Sequence, residues 1–83
     1  MLKNYLDAAL RNADYEIMED GSVYGEIPKC NGVYSKSNNF ESCRKELIEI
    51  LEEWIFIRLK KGLDIPVIES INLNIIEPED ATL

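Results

Sequence analysis

The sequence contains no histidine, and its two cysteines, Cys30 and Cys43, are not in CxxC spacing. Together these absences remove a zinc site and the usual base for an activated thiol or hydroxyl nucleophile. Ser22, Ser35, Ser37, Ser42 and Ser70 sit in no recognisable nucleophile context, and the four glycines do not form a phosphate loop. Basic residues are scarce: 9 Lys and Arg against 16 Asp and Glu leave a net charge of −7. A chain so acidic is disfavoured as a nucleic-acid binder and suits a basic protein partner instead. No apolar run approaches the roughly 18–20 residues that a membrane span needs. The N-terminal MLKNYLDAAL has no apolar signal-peptide core, so the expected compartment is the reducing cytoplasm. Repeats, linkers and low-complexity blocks are also missing. No metal or other cofactor is expected.

What is present is one small domain. Eighty-three residues, 46% of them hydrophobic and 30% charged, describe a folded chain near the lower size limit for an independent core. Chains of that size commonly gain stability from disulfides, metal or oligomerisation; with the first two set aside, oligomerisation is the expectation. Residues 1–76 read as the domain and 77–83 as a loose acidic tail.

Leu2, Tyr5, Leu6, Ala9 and Ala13 recur at helical spacing and predict a short amphipathic helix. Strand patterns follow at Tyr15–Glu19, Val23–Ile27 and Val33–Lys36, punctuated by Asp20-Gly21, Pro28 and Asn31-Gly32. A two-residue Asp20-Gly21 loop would pair Met18 with Val23 and Ile17 with Tyr24, leaving apolar side chains on both hairpin faces. Asn38 or Asn39 then caps a long helix, with Glu41 completing an N-x-x-E pattern on Asn38; Gly62 and Pro66 stop it. Its apolar stripe reads Phe40, Cys43, Leu47, Ile50, Leu51, Trp54 and Ile57. Ile48, Ile55, Phe56 and Leu59 lie outside the stripe, and serve either a deeper core or a subunit or partner contact. A last strand is expected over Ile71–Ile75. The fold class is thus α+β: a leading helix as an appendage, then β-β-β-α-β, with one helix crossing one face of a mainly antiparallel sheet of order 3-2-1-4.

Several residues in this frame resemble a known family. The segments Tyr15-Glu16-Ile17, Asp20-Gly21, Tyr24-Gly25-Glu26-Ile27-Pro28, Gly32-Val33-Tyr34, Phe40-Glu41-Ser42-Cys43-Arg44 and Leu51-Glu52-Glu53-Trp54-Ile55 resemble the HicB-like antitoxin family, over about residues 1–75. The resemblance implies a partial RNase H-like fold and a role in a type II toxin-antitoxin system: binding and neutralising a HicA-like toxin, a small basic mRNA-cleaving RNase. It also implies a homo-oligomer, dimer or tetramer. Longer members add a C-terminal DNA-binding segment; this sequence ends at Leu83, and DNA binding is not expected of it.

Catalysis is not expected either. An RNase H-like fold invites a search for clustered carboxylates, and Glu16, Asp20, Glu26 and Glu41 are the nearest. Asp20 reads as a turn former, Glu41 as a cap residue, and Glu16 with Glu26 as at most a like-charged pair. Cys43 reads as a small buried hydrophobe, and Cys30 more as a packed side chain than as an exposed, oxidisable thiol. The candidate subunit or partner interface is Tyr24, Glu26, Ile48, Trp54, Ile55, Phe56 and Leu59. The expected function is a non-catalytic protein-binding module; a self-assembling accessory domain without a toxin partner is the alternative.

Overall fold

Helix α1 (Leu2–Arg11) leads into strands β1 (Asp14–Ile17), β2 (Val23–Glu26) and β3 (Tyr34–Ser37), then helix α2 (Phe40–Lys61) and a 3-10 turn at Leu73–Ile75. These elements come from a computed structural model that describes residues 2–75; the expected acidic tail lies outside them. The fold is α+β, with a three-stranded antiparallel sheet of order β1-β2-β3.

The β1–β2 register differs by one residue from the expected pairing. Ile17 stands opposite Val23, and Glu16 opposite Tyr24. The loop has three residues rather than two: the Gly21 N–H donates to the Met18 carbonyl at 3.0 Å, and the Met18 N–H to that of Ser22 at 2.8 Å. Gly21 takes φ of 89° to close it. Asp20 braces the turn by accepting from the Ser22 N–H at 2.9 Å and from its hydroxyl at 2.5 Å. A one-residue slip changes which side chains share a face, so the two-sided apolar hairpin is not what forms. Val23, Gly25, Ile27, Val33 and Ser35 are buried towards α2, whereas Glu16, Tyr24, Glu26 and Tyr34 share the other side.

Asn39, rather than Asn38, caps α2; its side chain accepts from the Ser42 N–H at 2.8 Å. Gly62 ends the helix in the left-handed region at φ 72°, and the Leu63 N–H returns to the Arg58 carbonyl at 2.8 Å. The buried residues of α2 are Cys43, Leu47, Leu51 and Ile55, spaced by fours. Such a ridge leans across the helix axis, so it departs from the straight stripe read from the sequence: Ile55 enters the core, while Phe40 and Ile57 stay exposed.

Two further expectations are corrected. Helix α1 is no appendage: Tyr5, Ala8, Ala9 and Leu10 are buried in the same core as Leu47, Leu51, Ile55, Ile65, Ile68 and Leu73. Its alanines leave room for close approach, and its Tyr5 hydroxyl donates to the Pro66 carbonyl at 2.5 Å. Arg11 and Asn12 hold Glu69 at 2.6 and 2.9 Å. The fourth strand does not form among the described residues, which removes the crossover and the 3-2-1-4 order. Instead, Glu69 and Ser70 adopt φ of 49° and 68° and reverse the chain between Ile68 and Ile71, an isolated bridge. Asn74, on the polar phase of the expected strand, satisfies both backbone groups of Ile65 at 3.0 and 2.7 Å. Local side-chain bonds have displaced a ladder there.

The anchoring of α1 has a pH signature. Burial, reinforced by the neighbouring Cys30, pushes the Tyr5 phenol well above its usual range; burial likewise raises the Cys30 thiol. Both groups hold their protons more tightly folded than unfolded, so their contribution is complete below the ordinary thiol and phenol ionisations. It is lost as pH rises beyond about 8.5 for the thiol and about 10 for the phenol. Urea midpoints measured across alkaline pH should fall through that window. Tyr5→Phe should cost about 1 kcal/mol at neutral pH and flatten the decline above pH ~10.

Candidate protein-binding surfaces

The sheet has one covered side and one open side. Strand alternation places Asp14 and Glu16 of β1, Tyr24 and Glu26 of β2, and Tyr34 and Lys36 of β3 on the side away from α2. The register aligns them in two rows, Glu16–Tyr24–Lys36 and Asp14–Glu26–Tyr34. The Tyr24 and Tyr34 rings stack diagonally at 6.2 Å between centroids, with 29° between their planes. The Tyr24 hydroxyl donates to Glu26 Oε1 at 2.9 Å, and this bond raises its ionisation above the ordinary phenol range. Lys36, the cation of the face, stands 3.8 Å from Asp20 in an exposed pair, too open to the solvent to hold it firmly. A groove of about 310 Å³ continues the face past the β2–β3 turn, between Tyr24, Glu26, Pro28, Asn31 and Tyr34.

The covered side depends on one close approach. A Cβ on Gly25 would lie 2.9 Å from the Tyr15 ring and 3.0 Å from the Cys43 sulfur. Glycine here lets the Tyr15 ring lie over β2 while α2 presses on the same strand. Phe40 extends that contact, its ring 4.6 Å from that of Tyr15. The Ser35 hydroxyl donates to the Cys43 carbonyl at 3.1 Å. Cys30 and Cys43 are both free and buried.

The seven residues expected at an interface do not form one surface. Tyr24 and Glu26 belong to the open face. Ile55 is only 2% exposed and is part of the core, against which Ile48 is partly packed. Trp54 is half-buried; its indole N–H donates to the Asn31 carbonyl at 3.1 Å, and the Arg58 guanidinium covers its ring at 4.7 Å. It fastens the β2–β3 turn to α2. Phe56 and Leu59, 64% and 50% exposed, lie on a separate outer surface of α2. Asp14, Tyr34 and Lys36 complete the open face beside Glu16, which the sequence offers only as a carboxylate paired with Glu26; alternation in Tyr34-Ser35-Lys36-Ser37 carries the signal for Tyr34 and Lys36. Of the clustered carboxylates, Asp20 is engaged by Ser22, and Glu41 lies in the first turn of α2. Among the described residues no three potential ligands gather into a metal site.

The UPF0150-like family matches residues 4–66, well over half of the sequence. The chain belongs to the UPF0150-like family. Its structure is similar to that of TTHA0281 from Thermus thermophilus, at 30% identity and a TM-score of 0.83, covering 92% of this chain and 95% of that one. No curated protein matches. Both surfaces of this UPF0150-like chain fall inside the matched span, which runs from α1 past the end of α2. Among the described residues no helix is long and apolar enough to cross a membrane.

Replacing Gly25 with Ala should separate β2 from Tyr15 or from Cys43. An overpacked contact of this kind costs about 1–3 kcal/mol, measurable as a lowered urea midpoint. An unchanged midpoint would show that the close approach is unimportant.

Proposed function

We propose that this chain is a non-catalytic protein-binding module, the antitoxin of a type II toxin-antitoxin pair, acting in the cytoplasm on a small basic HicA-like RNase. The open sheet face carries the proposal. Two stacked tyrosines among Asp14, Glu16 and Glu26 present aromatic rings and carboxylates together. Guanidinium and ammonium groups are drawn to both, by cation–π attraction and by charge-assisted hydrogen bonds. Rigid Tyr rings also lose little conformational freedom when an interface forms. A net charge of −7 steers a basic protein to this surface. Membership of the UPF0150-like family is compatible with the HicB-like reading; of the implied β-β-β-α-β order the β-β-β-α part is present, and the last strand does not form among the described residues.

Neutralisation on this reading is occlusion: a basic RNase needs its cationic surface for RNA, and the acidic face competes for it. The test is coexpression with a basic RNase encoded beside this gene. The wild-type chain should copurify with it and suppress its RNA cleavage. The Tyr24→Ala, Glu16→Lys, Glu26→Lys variant should bind at least about thirtyfold more weakly, as expected when a central aromatic anchor is lost. A wild-type chain that neither binds nor inhibits, or a variant that binds as well as wild type, would refute the reading.

A further inference from the structure

The groove beyond the β2–β3 turn joins acceptor oxygens to apolar walls, and no Lys or Arg lines it. Its floor is Ile27, Cys30 and Val33, all buried. Backbone bonds close the turn: the Ile27 N–H donates to the Val33 carbonyl at 3.1 Å, and the Cys30 N–H to that of Ile27 at 2.9 Å. The Trp54 indole N–H, bonded to the Asn31 carbonyl, ties the turn to α2. The groove is therefore preformed, and its volume of about 310 Å³ accommodates one long side chain. Glu26 stands at its edge, between Asp14 of β1 and Tyr34 of β3. Asp14 and Glu26 are thus directly opposed carboxylates, an arrangement that costs stability. Neither joins an ion pair among the described residues. The Tyr24 hydroxyl proton is committed to Glu26 Oε1, so the Tyr24 oxygen offers only lone pairs to an entering group.

Neighbouring acceptors, an open aromatic ring and an unrelieved carboxylate pair together match one kind of side chain. We propose that the groove receives an arginine of a partner protein, its stem along Pro28 and its guanidinium flat on the Tyr34 ring. The guanidinium fork then donates to Glu26 and to the Tyr24 hydroxyl oxygen. Its N–H donors lie in a rigid plane and can stack and fork at once, whereas the compact, strongly hydrated ammonium of lysine does neither. The Tyr34 ring is 58% exposed, which leaves it open to such stacking. The guanidinium also brings the positive charge that the opposed Asp14 and Glu26 lack. Its bonds to a carboxylate are roughly twice as strong as those between neutral groups. A neutral side chain of the same shape would fill the groove but leave the two negative charges facing each other. This anchor rests on the reading of the open sheet side as the docking face; it adds which residue of the partner enters, and where.

Capped tripeptides with arginine, lysine or citrulline between two glycines test this on the full chain without a toxin, citrulline being the neutral isostere of arginine. NMR of the Tyr24 and Tyr34 rings and the Gly32 amide reads the binding. The arginine peptide should shift all three signals and bind at least about fivefold more tightly than either of the others. Glu26→Gln keeps an acceptor but removes the charge, and should cut the preference for arginine over citrulline to below about twofold. Tyr34→Leu should weaken the arginine peptide at least about threefold and leave the lysine peptide unchanged. Circular dichroism confirms that both variants fold. Equal affinity of the three peptides, an arginine peptide that leaves Tyr24 and Tyr34 unmoved, or an undiminished preference in Glu26→Gln would each overturn the proposal. The outcome separates from that of the toxin reading. An adjacent RNase that fails to bind refutes the toxin reading while the arginine preference stands; an RNase that binds while the peptides are indistinguishable removes the anchor alone.

Discussion

The structure depends on one packing constraint: a leaning ridge of α2 pressed onto a single side of a three-stranded sheet. Cys43, Leu47, Leu51 and Ile55 make the ridge, and Gly25 is the position that lets it close. With Tyr15 and Cys43 each about 3 Å from where its side chain would begin, a larger residue would lift either the strand or the helix. The remaining core is assembled around this contact. Helix α1 closes one end with Ala8 and Ala9, and the segment after α2 is latched by Tyr5, Arg11 and Asn12 before Leu73 enters the core.

A sheet covered on one side only must do something with the other. Here the uncovered side is neither apolar, as an unfinished core would be, nor simply charged. It carries tyrosines beside carboxylates, the composition of a surface that meets a cationic protein. The outer side of α2 is different in kind, with Phe56 and Leu59 exposed among charges of both signs. Thus one thin domain carries two chemically distinct surfaces on its two sides. Among the described residues there is one core layer, and no second layer covers either side.

Much of this was legible in the sequence, and the rest failed for identifiable reasons. The order helix, three strands, helix could be read because capping and stop signals are local: Gly21 and Gly62 sit where positive φ is needed. The hairpin register could not, because Asp20-Gly21 fits both two- and three-residue loops, and only the hydrogen bonds of Met18, Gly21 and Ser22 decide between them. That single residue determined whether Tyr24 would face Ile17 or Glu16, and hence the character of the open face. Trp54 and Ile57 look like stripe residues from periodicity alone, whereas the tilt of α2 on the sheet selects Ile55. The Ile71–Ile75 alternation imitates a strand, but its asparagines are engaged in local bonds with Ile65 and with each other.

The tyrosines offer the most direct test of the central claim, that the side of the sheet away from α2 is where a protein partner docks. Tyr24 and Tyr34 lie on that side, while Tyr5 is in the core and Tyr15 packs under Phe40. Ring resonances of all four, followed by NMR as a basic partner RNase is titrated in, separate the two sides in one experiment. Large shifts or broadening are expected for Tyr24 and Tyr34, with Tyr5 and Tyr15 nearly unmoved. Binding that leaves Tyr24 and Tyr34 unperturbed would contradict it.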